Sequence, residues 1–314
     1  MKTKKIIHLL LIVLIIWLPL SGCTARGTAA GTAKIRISYV AAPLNTPSIL
    51  ERKKQLFESE FKPIKIEWLD LTTGPQQTQA LASGDLDFAH AIGSPSVLLA
   101  ASAGLEMKIT GIYSRGPKSF MILTKNSGIQ SAADLKRKKV GGPKGTVLQQ
   151  LLDAALQTKG LTERDLNFIS MDIPSAAAAL ENGSIDAGLL AGPVALKVMD
   201  TGARLVADGQ GLVDGTLLTV VSKEFYTNHR DVVNRFMDVQ KDAVNYMTKH
   251  RQEILAMAAG EVGLTETQTE TLYSWYDFDP AIRPGDIDNL NKTQGFLLQS
   301  GQQKTSVDLN TLLP

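Results

Sequence analysis

From residue 34 onward, apolar and polar positions fall into short blocks whose period keeps switching between two and about 3.6. KIRISYV, Lys34 to Val40, alternates and is rich in β-branched side chains, which predicts a strand. After the loop AAPLNTPS, the spacing in ILERKKQLFESEF predicts a helix, and IKIEWLDL predicts a second strand. TTGP opens another helix through QQTQALAS, Gly84 ends it as a left-handed cap would, and LDFAHA follows as a short apolar strand. PSVLLAASAG predicts a helix with Pro95 at its start and Gly104 at its end. MKITGIYS and SFMILTK predict two more strands.

The alternation restarts beyond Lys125. Ser131 with Asp134, and Thr162 with Asp165, have capping-box spacing. Between and after them come the strand KKVGGP, the amphipathic helix KGTVLQQLLDAALQTKG and the strand NFISMD. The helix PSAAAALENG, the strand SIDAGLLAG, the helix PVALKVMDTG and the strand ARLVAD continue the pattern. GTLLTVVS, Gly215 to Ser222, reads as a strand leading back, and the rest is helical: Asn228 to Gly260, Glu266 to Trp275 and Pro284 to Ser300. Strands alternating with helices of at most about eighteen residues predict an α/β fold with mostly parallel pairing.

One phrase occurs twice. ALASGDLD, Ala80 to Asp87, leads to the loop IGSP, and ALENGSID, Ala179 to Asp186, leads to AGP. Ala80, Leu81, Gly84, Asp87 and Gly93 recur ninety-nine residues later as Ala179, Leu180, Gly183, Asp186 and Gly192. Each copy reads as a helix end, a turn, a strand and a loop opening the next helix. Two lobes with one strand–helix grammar would each use it once, with the loop at the carboxyl end of a strand, where open α/β sheets bind ligands.

The 314 residues are 44% apolar and 20% charged, ample for a buried core. The formal charge of +2 includes Lys2, Lys4 and Lys5; without them 30 basic residues face 31 acidic ones, which argues against a nucleic-acid partner. Those lysines precede an apolar run of about fifteen residues, IIHLLLIVLIIWLPL, short for a spanning helix. It ends in LSGC, which resembles a bacterial lipobox and makes Cys23, the chain's one cysteine, the expected lipidation site. Residues 1–22 are thus expected to be a lipoprotein signal peptide. TARGTAAGTA then reads as a flexible tether over 23–33, on the outer side of the cytoplasmic membrane.

Three glycine-containing loops stand immediately before helices: TTGPQQ, GSPS and GPKGTV. Each offers free backbone N–H groups at a helix N-terminus, where an anion is favoured. Thr73, Ser94 and Thr146 could add hydroxyl donors and Lys144 a charge, while Phe120, Trp275 and Tyr276 could wall an apolar part. GGPKGT lacks P-loop spacing, because Lys144 precedes its glycine. After processing, His90, His229 and His250 are scattered without metal-ligand spacing, and no GxSxG elbow occurs. Asp87 and Asp186 read as caps of local backbone, one in each lobe. These residues point to a binder, not an enzyme, with no metal and no cofactor.

With those residues in view, the chain resembles the substrate-binding lipoproteins of bacterial ABC importers, in the aliphatic sulfonate, taurine and nitrate family. The likeness rests on APLNTPSI, TTGPQQTQALASGDLDFAHAIGSP, SAADLKRKKVGGPKGT, ALENGSIDAGLLAGP and YDFDPAI. It implies a two-lobed type II periplasmic-binding-protein fold, each lobe a mostly parallel sheet flanked by helices, with the ligand cleft between. Lobe I would comprise 34–127 and 211–314, and lobe II 128–210. The resemblance implicates Asn45, Thr46, Thr73, Gly74, Pro75, Gln76, Gly93, Ser94, Lys144, Gly145 and Thr146 in ligand binding, with Phe120, Gly192 and Trp275 beside them. Strands near Ser119 to Lys125 and Gly215 to Ser222 would join the lobes, and hinge closure would trap a small anion.

The expected partners are that ligand, an ABC permease and the membrane lipid; the chain is expected to act as a monomer. Where the family often places an acidic or aromatic residue, this chain has Ala191-Gly192-Pro193, which favours a ligand without an amine, such as a plain alkanesulfonate. Nitrate, a thiamine pyrimidine precursor or an aromatic carboxylate on the same scaffold remain alternatives, as does a sensing lipoprotein without transport.

Overall fold

The computed structural model describes residues 33–40 and 43–314. The leader, Cys23 and all of the tether but Ala33 lie outside them. The first stretch runs β1 (Lys34–Tyr39), α1 (Thr46–Lys53), α2 (Leu56–Glu60), β2 (Lys65–Asp70), α3 (Gly74–Ser83), β3 (Phe88–Gly93), α4 (Ser94–Ser102) and β4 (Met107–Arg115). The second runs β5 (Phe120–Thr124), β6 (Lys139–Gly142), α5 (Val147–Gln157), β7 (Asn167–Ser170), α6 (Ile173–Glu181), β8 (Ala187–Ala191), α7 (Gly192–Asp200) and β9 (Arg204–Asp208). The third runs β10 (Thr216–Ser222), α8 (Lys223–Asn228), α9 (Arg230–Lys249), α10 (Arg251–Val262), α11 (Glu266–Tyr273), α12 (Pro284–Gln299) and α13 (Leu309–Leu312).

The strands form two five-stranded sheets, ordered β2-β1-β3-β10-β4 and β7-β6-β8-β5-β9. In each, four strands point one way and one is reversed: β10 is antiparallel to β3 and β4, and β5 to β8 and β9. The reversed strand always arrives from the other sheet, since β5 follows β4 and β10 follows β9. Two lobes of identical topology have therefore exchanged one strand each. The fold is the expected two-lobed one.

The repeated phrase occupies equivalent places, ending α3 and α6 and forming β3 and β8. Gly84 and Gly183 are left-handed, at φ 73° and 75°. The Asp87 carboxylate accepts the backbone N–H of Arg36 in β1 at 2.8 Å, and Asp186 accepts that of Lys139 in β6 at 2.9 Å. Both acids thus tie the start of one strand to its neighbour within their own lobes, as expected, but the backbone they hold lies 51 and 47 residues away and is not local.

Several expectations need correction. The segment Ser119 to Lys125 was expected to join the lobes from within lobe I, but β5 lies wholly inside the second sheet, between β8 and β9. The chain crosses instead at 116–119 and 209–215, and these crossings lie side by side, Gly116 N–H donating to the Gly215 carbonyl at 3.2 Å. The helix expected over Ile49 to Phe61 begins at Thr46 and breaks at Gln55, which takes φ 53°. The segment from Asn228 to Gly260 is broken at His250, and α9 reaches 20 residues, beyond the expected maximum. The Ser131 and Thr162 boxes close, but on single 3-10 turns.

Burial follows the sequence pattern. Every residue of β5 and β8 is buried, as for strands covered on both faces. On α5, Leu148, Leu151, Leu152 and Leu156 recur at helical spacing and enter the second lobe's core. Leu290 and Leu297 of α12 pack on the first sheet. Fully buried His90 in β3 places one ring nitrogen 3.1 Å from Glu51 of α1 and the other 3.0 Å from Thr219 of β10, fixing three elements beneath the cleft.

Candidate functional site

Helix starts from both lobes converge where the sheets' carboxyl ends face each other. Thr73 caps α3 by accepting the Gln76 N–H, and the Gln76 side-chain oxygen accepts the N–H groups of Thr72 and Thr73, both at 3.0 Å. Thr146 caps α5 by accepting the Leu148 N–H and donates its hydroxyl to the Pro143 carbonyl at 2.8 Å. The lobes touch here. Ser96 Oγ of α4 donates to the Gly145 carbonyl at 2.6 Å, and a Cβ on Gly93 would stand 3.1 Å from Val147.

A cavity of about 50 Å³ lies at this junction. From the first lobe Val40, Pro43, Thr72, Thr73, Gly74, Gln77, Ala91, Gly93, Ser96 and Leu217 line it; from the second, Phe120, Pro143, Thr146, Val147, Leu148 and Ile173. None of these described lining residues carries a charged side chain. Negative charge in the cavity would be met by backbone N–H groups, hydroxyls and the positive ends of α3, α4 and α5. Those groups bind and orient; they include no side chain that titrates near neutrality.

Of the expected site residues, Thr73, Gly74, Gly93, Phe120 and Thr146 line the cavity. Ser94 is buried at the first position of α4, beside it. Asn45 and Thr46 are buried at the start of α1, where Asn45 donates its amide to the Val40 carbonyl. Asn45 Oδ1 and Thr46 Oγ1 have no partner among the described residues, an unusual state for buried polar atoms. Gln76 is spent on its own turn. Pro75 faces a shallow depression beside the end of α4.

Lys144 and Gly145 open onto a separate inter-lobe groove of about 990 Å³, lined also by Asp153, Glu163 and Gln302. Gly192 abuts the Pro43–Leu44 backbone, and Trp275 packs among apolar side chains with the Lys118 ammonium 4.8 Å from its ring. The Tyr276 hydroxyl donates nothing to the cavity; it accepts the Leu44 N–H at 3.1 Å, and burial pushes its ionisation far above the usual range.

Sequence reasoning missed Ser96, Gln77 and Ile173. Ser96 and Gln77 sit inside loops it had singled out. Ile173-Pro174 stands ninety-nine residues after Gly74-Pro75, so the repeat itself carried the signal. Asp172 caps α6 through the Ser175 N–H, just as Thr73 caps α3.

A family model described as "NMT1/THI5 like" matches residues 46–254. A Bacillus subtilis (strain 168) protein named for the binding of aliphatic sulfonates is 32% identical over 251 residues, covering 78% of this chain and 75% of that protein. An Escherichia coli (strain K12) protein with the same name is 27% identical over 257 residues, covering 80% of each. Among solved structures, the alkanesulfonate-binding protein SsuA from Xanthomonas axonopodis pv. citri, bound to MOPS, superposes with a TM-score of 0.81. It is 26% identical and covers 91% of this chain and 99% of that one.

Proposed function

Since this chain belongs to the NMT1/THI5-like family, we propose that it captures an aliphatic sulfonate between its lobes as the substrate-binding component of an ABC importer. The observation that carries the reading is the uncharged cavity on which three helix starts from two lobes converge. A sulfonate stays ionised at ordinary pH and only accepts hydrogen bonds, which suits a ring of donors without a countercharge. Charge-assisted bonds contribute about 1.5–3 kcal/mol each, so three or four give affinity in the micromolar range.

Val40, Phe120, Ile173 and Leu217 supply apolar wall for the alkyl part. At about 50 Å³ the cavity is smaller than the roughly 150 Å³ that takes a ligand of six heavy atoms such as benzene, so the lobes part around ethanesulfonate and further around a longer chain. Among the described residues no acidic side chain lines the cavity to receive an amine, which favours ethanesulfonate over taurine, its amino derivative. The ligand bridges the lobes and shifts them toward closure, the form that docks on the permease. The protein works outside the cytoplasmic membrane, held there by acyl chains on Cys23.

Calorimetric titration with ethanesulfonate, taurine, propionate and nitrate tests the reading. Ethanesulfonate is expected to bind in the micromolar range and the other three at least tenfold more weakly. Equal binding of taurine removes the argument from the missing acid. Preference for propionate or nitrate, or no binding of any sulfonate, overturns the assignment.

A further inference from the structure

The groove outside the cleft holds a buried acid that ligand binding does not use. Asp153 lies on the face of α5 that meets the first lobe, 7% exposed. Its carboxylate accepts one hydrogen bond, from the Gln302 side-chain amide at 2.6 Å, and Gln302 follows α12 on the first lobe. One turn earlier, Gln149 accepts the Gly145 N–H at 2.7 Å and donates to Glu163 at 2.6 Å. Gly145 is the residue whose carbonyl takes the Ser96 hydroxyl across the cleft. The acid therefore sits on the same inter-lobe seam as the cleft contact.

The charges around Asp153 do not compensate it. Its own helix has no other ionisable side chain, nor do α4, β5, β8 or residues 299–303. α12, which meets α5 where Gln150 donates to Thr293, carries Asp286, paired with Arg115, Asp288, and Lys292, whose charge acts on Asp214. The Glu163–Asp165 turn brings Glu163, a like charge, while Arg164 and Lys144 line the groove without pairing with Asp153. Asp134, on the turn packed behind α5, is held in its own capping box. Loss of water, reinforced by Glu163 and only partly offset by Gln302, pushes the Asp153 carboxyl up to about 7. Opening the groove returns water to the carboxylate and lets it fall toward its ordinary range.

We propose that closure of the two lobes is coupled to proton uptake by Asp153, so that the protein grips its cargo more tightly on the acidic side of neutral. The sign follows from linkage. The closed form binds the proton better, so closure is penalised in full above pH 7, and the penalty fades as pH falls toward the ordinary carboxylate range. One proton allows the closed-to-open ratio to change by at most about tenfold per pH unit. The proposal rests on lobe closure, as the proposed function does, but not on the ligand's identity.

The test is an inter-lobe distance measurement on the full-length chain in detergent, without ligand. Spin labels on Ala82→Cys and Lys159→Cys, in a Cys23→Ser background, report the populations at pH 5.5 and 8.0. The compact population is expected to grow at least severalfold at pH 5.5, and Asp153→Asn to be compact at both pH values. Gln302→Lys, which gives the carboxylate a cation, covers the case in which Asp153→Asn fails to fold; it is expected to close at pH 8.0. An unchanged distribution in the parent chain, or a variant that keeps the parent's pH response, overturns the proposal. Failure of the sulfonate assignment would appear separately, in the titration panel.

Discussion

Gly192→Ala separates the cost of a backbone conformation from the cost of blocking closure. Gly192 takes φ 53°, and a Cβ there would stand 2.8 Å from the Leu44 nitrogen and 3.0 Å from the Pro43 Cα, both on the opposite lobe. Gly183 shares the left-handed backbone, at φ 75°, but nothing lies within 4 Å of its would-be Cβ. Alanine in that conformation costs about 1 kcal/mol, so Gly183→Ala should lower the melting temperature by roughly 2 °C and leave affinity alone. Gly192→Ala should lose the same stability without ligand, because an open cleft relieves the overlap. On closure it meets backbone atoms that cannot swing away. Overpacking of this kind costs roughly 1–3 kcal/mol, which corresponds to a roughly 5- to 140-fold weaker Kd. Calorimetry with ethanesulfonate, beside thermal melts of both variants, reads the two effects independently. If Gly192→Ala binds as tightly as Gly183→Ala, the contact seen across the cleft is not part of the bound state.

Further outcomes follow from single contacts. Ser96→Ala removes the hydroxyl that reaches the Gly145 carbonyl; about 1 kcal/mol, or roughly fivefold in Kd, should be lost with little change in melting temperature. Asp87→Asn, which weakens the bonds to the Arg36 backbone and guanidinium, should cost about 1–3 kcal/mol in urea unfolding with unchanged affinity. An affinity loss at full stability would instead make Asp87 a ligand contact. With ethanesulfonate holding the lobes closed, Asp153→Asn should raise the melting temperature at pH 8 but not at pH 4. The closed-state carboxyl sits near 7, above its unfolded value, so its charge destabilises that closed fold only where it is ionised. An equal effect at both pH values would contradict that burial argument.

Much of the architecture was legible because strand alternation, glycine caps and the ninety-nine-residue repeat are local signals. The repeat also held information that went unused, since it maps Gly74-Pro75 onto Ile173-Pro174 and so points to the second lobe's wall. The T-x-x-Q spacing of Thr73 and Gln76 was likewise readable as a capping box, which commits the Gln76 side chain to its own turn. Other features were not local. β5 reads as a strand, but its partners β8 and β9 lie more than sixty residues further on, so its lobe could not be read from its own residues. Whether Lys144 faces the cleft or the outer groove depends on the turn made by Gly145 at φ 71°, which composition does not encode. The uncompensated burial of Asp153 arises only once residues near 302 pack against α5.

The central claim is that amide-rich helix starts from both lobes grip one sulfonate. A crystal structure with ethanesulfonate tests it most directly. The account predicts sulfonate oxygens within hydrogen-bond distance of donors from the Thr73–Gly74 turn and from the Thr146–Val147 turn, with the alkyl group against Phe120 and Leu217. A sulfonate bound to one lobe alone, or lodged in the groove beside Asp153, would contradict it.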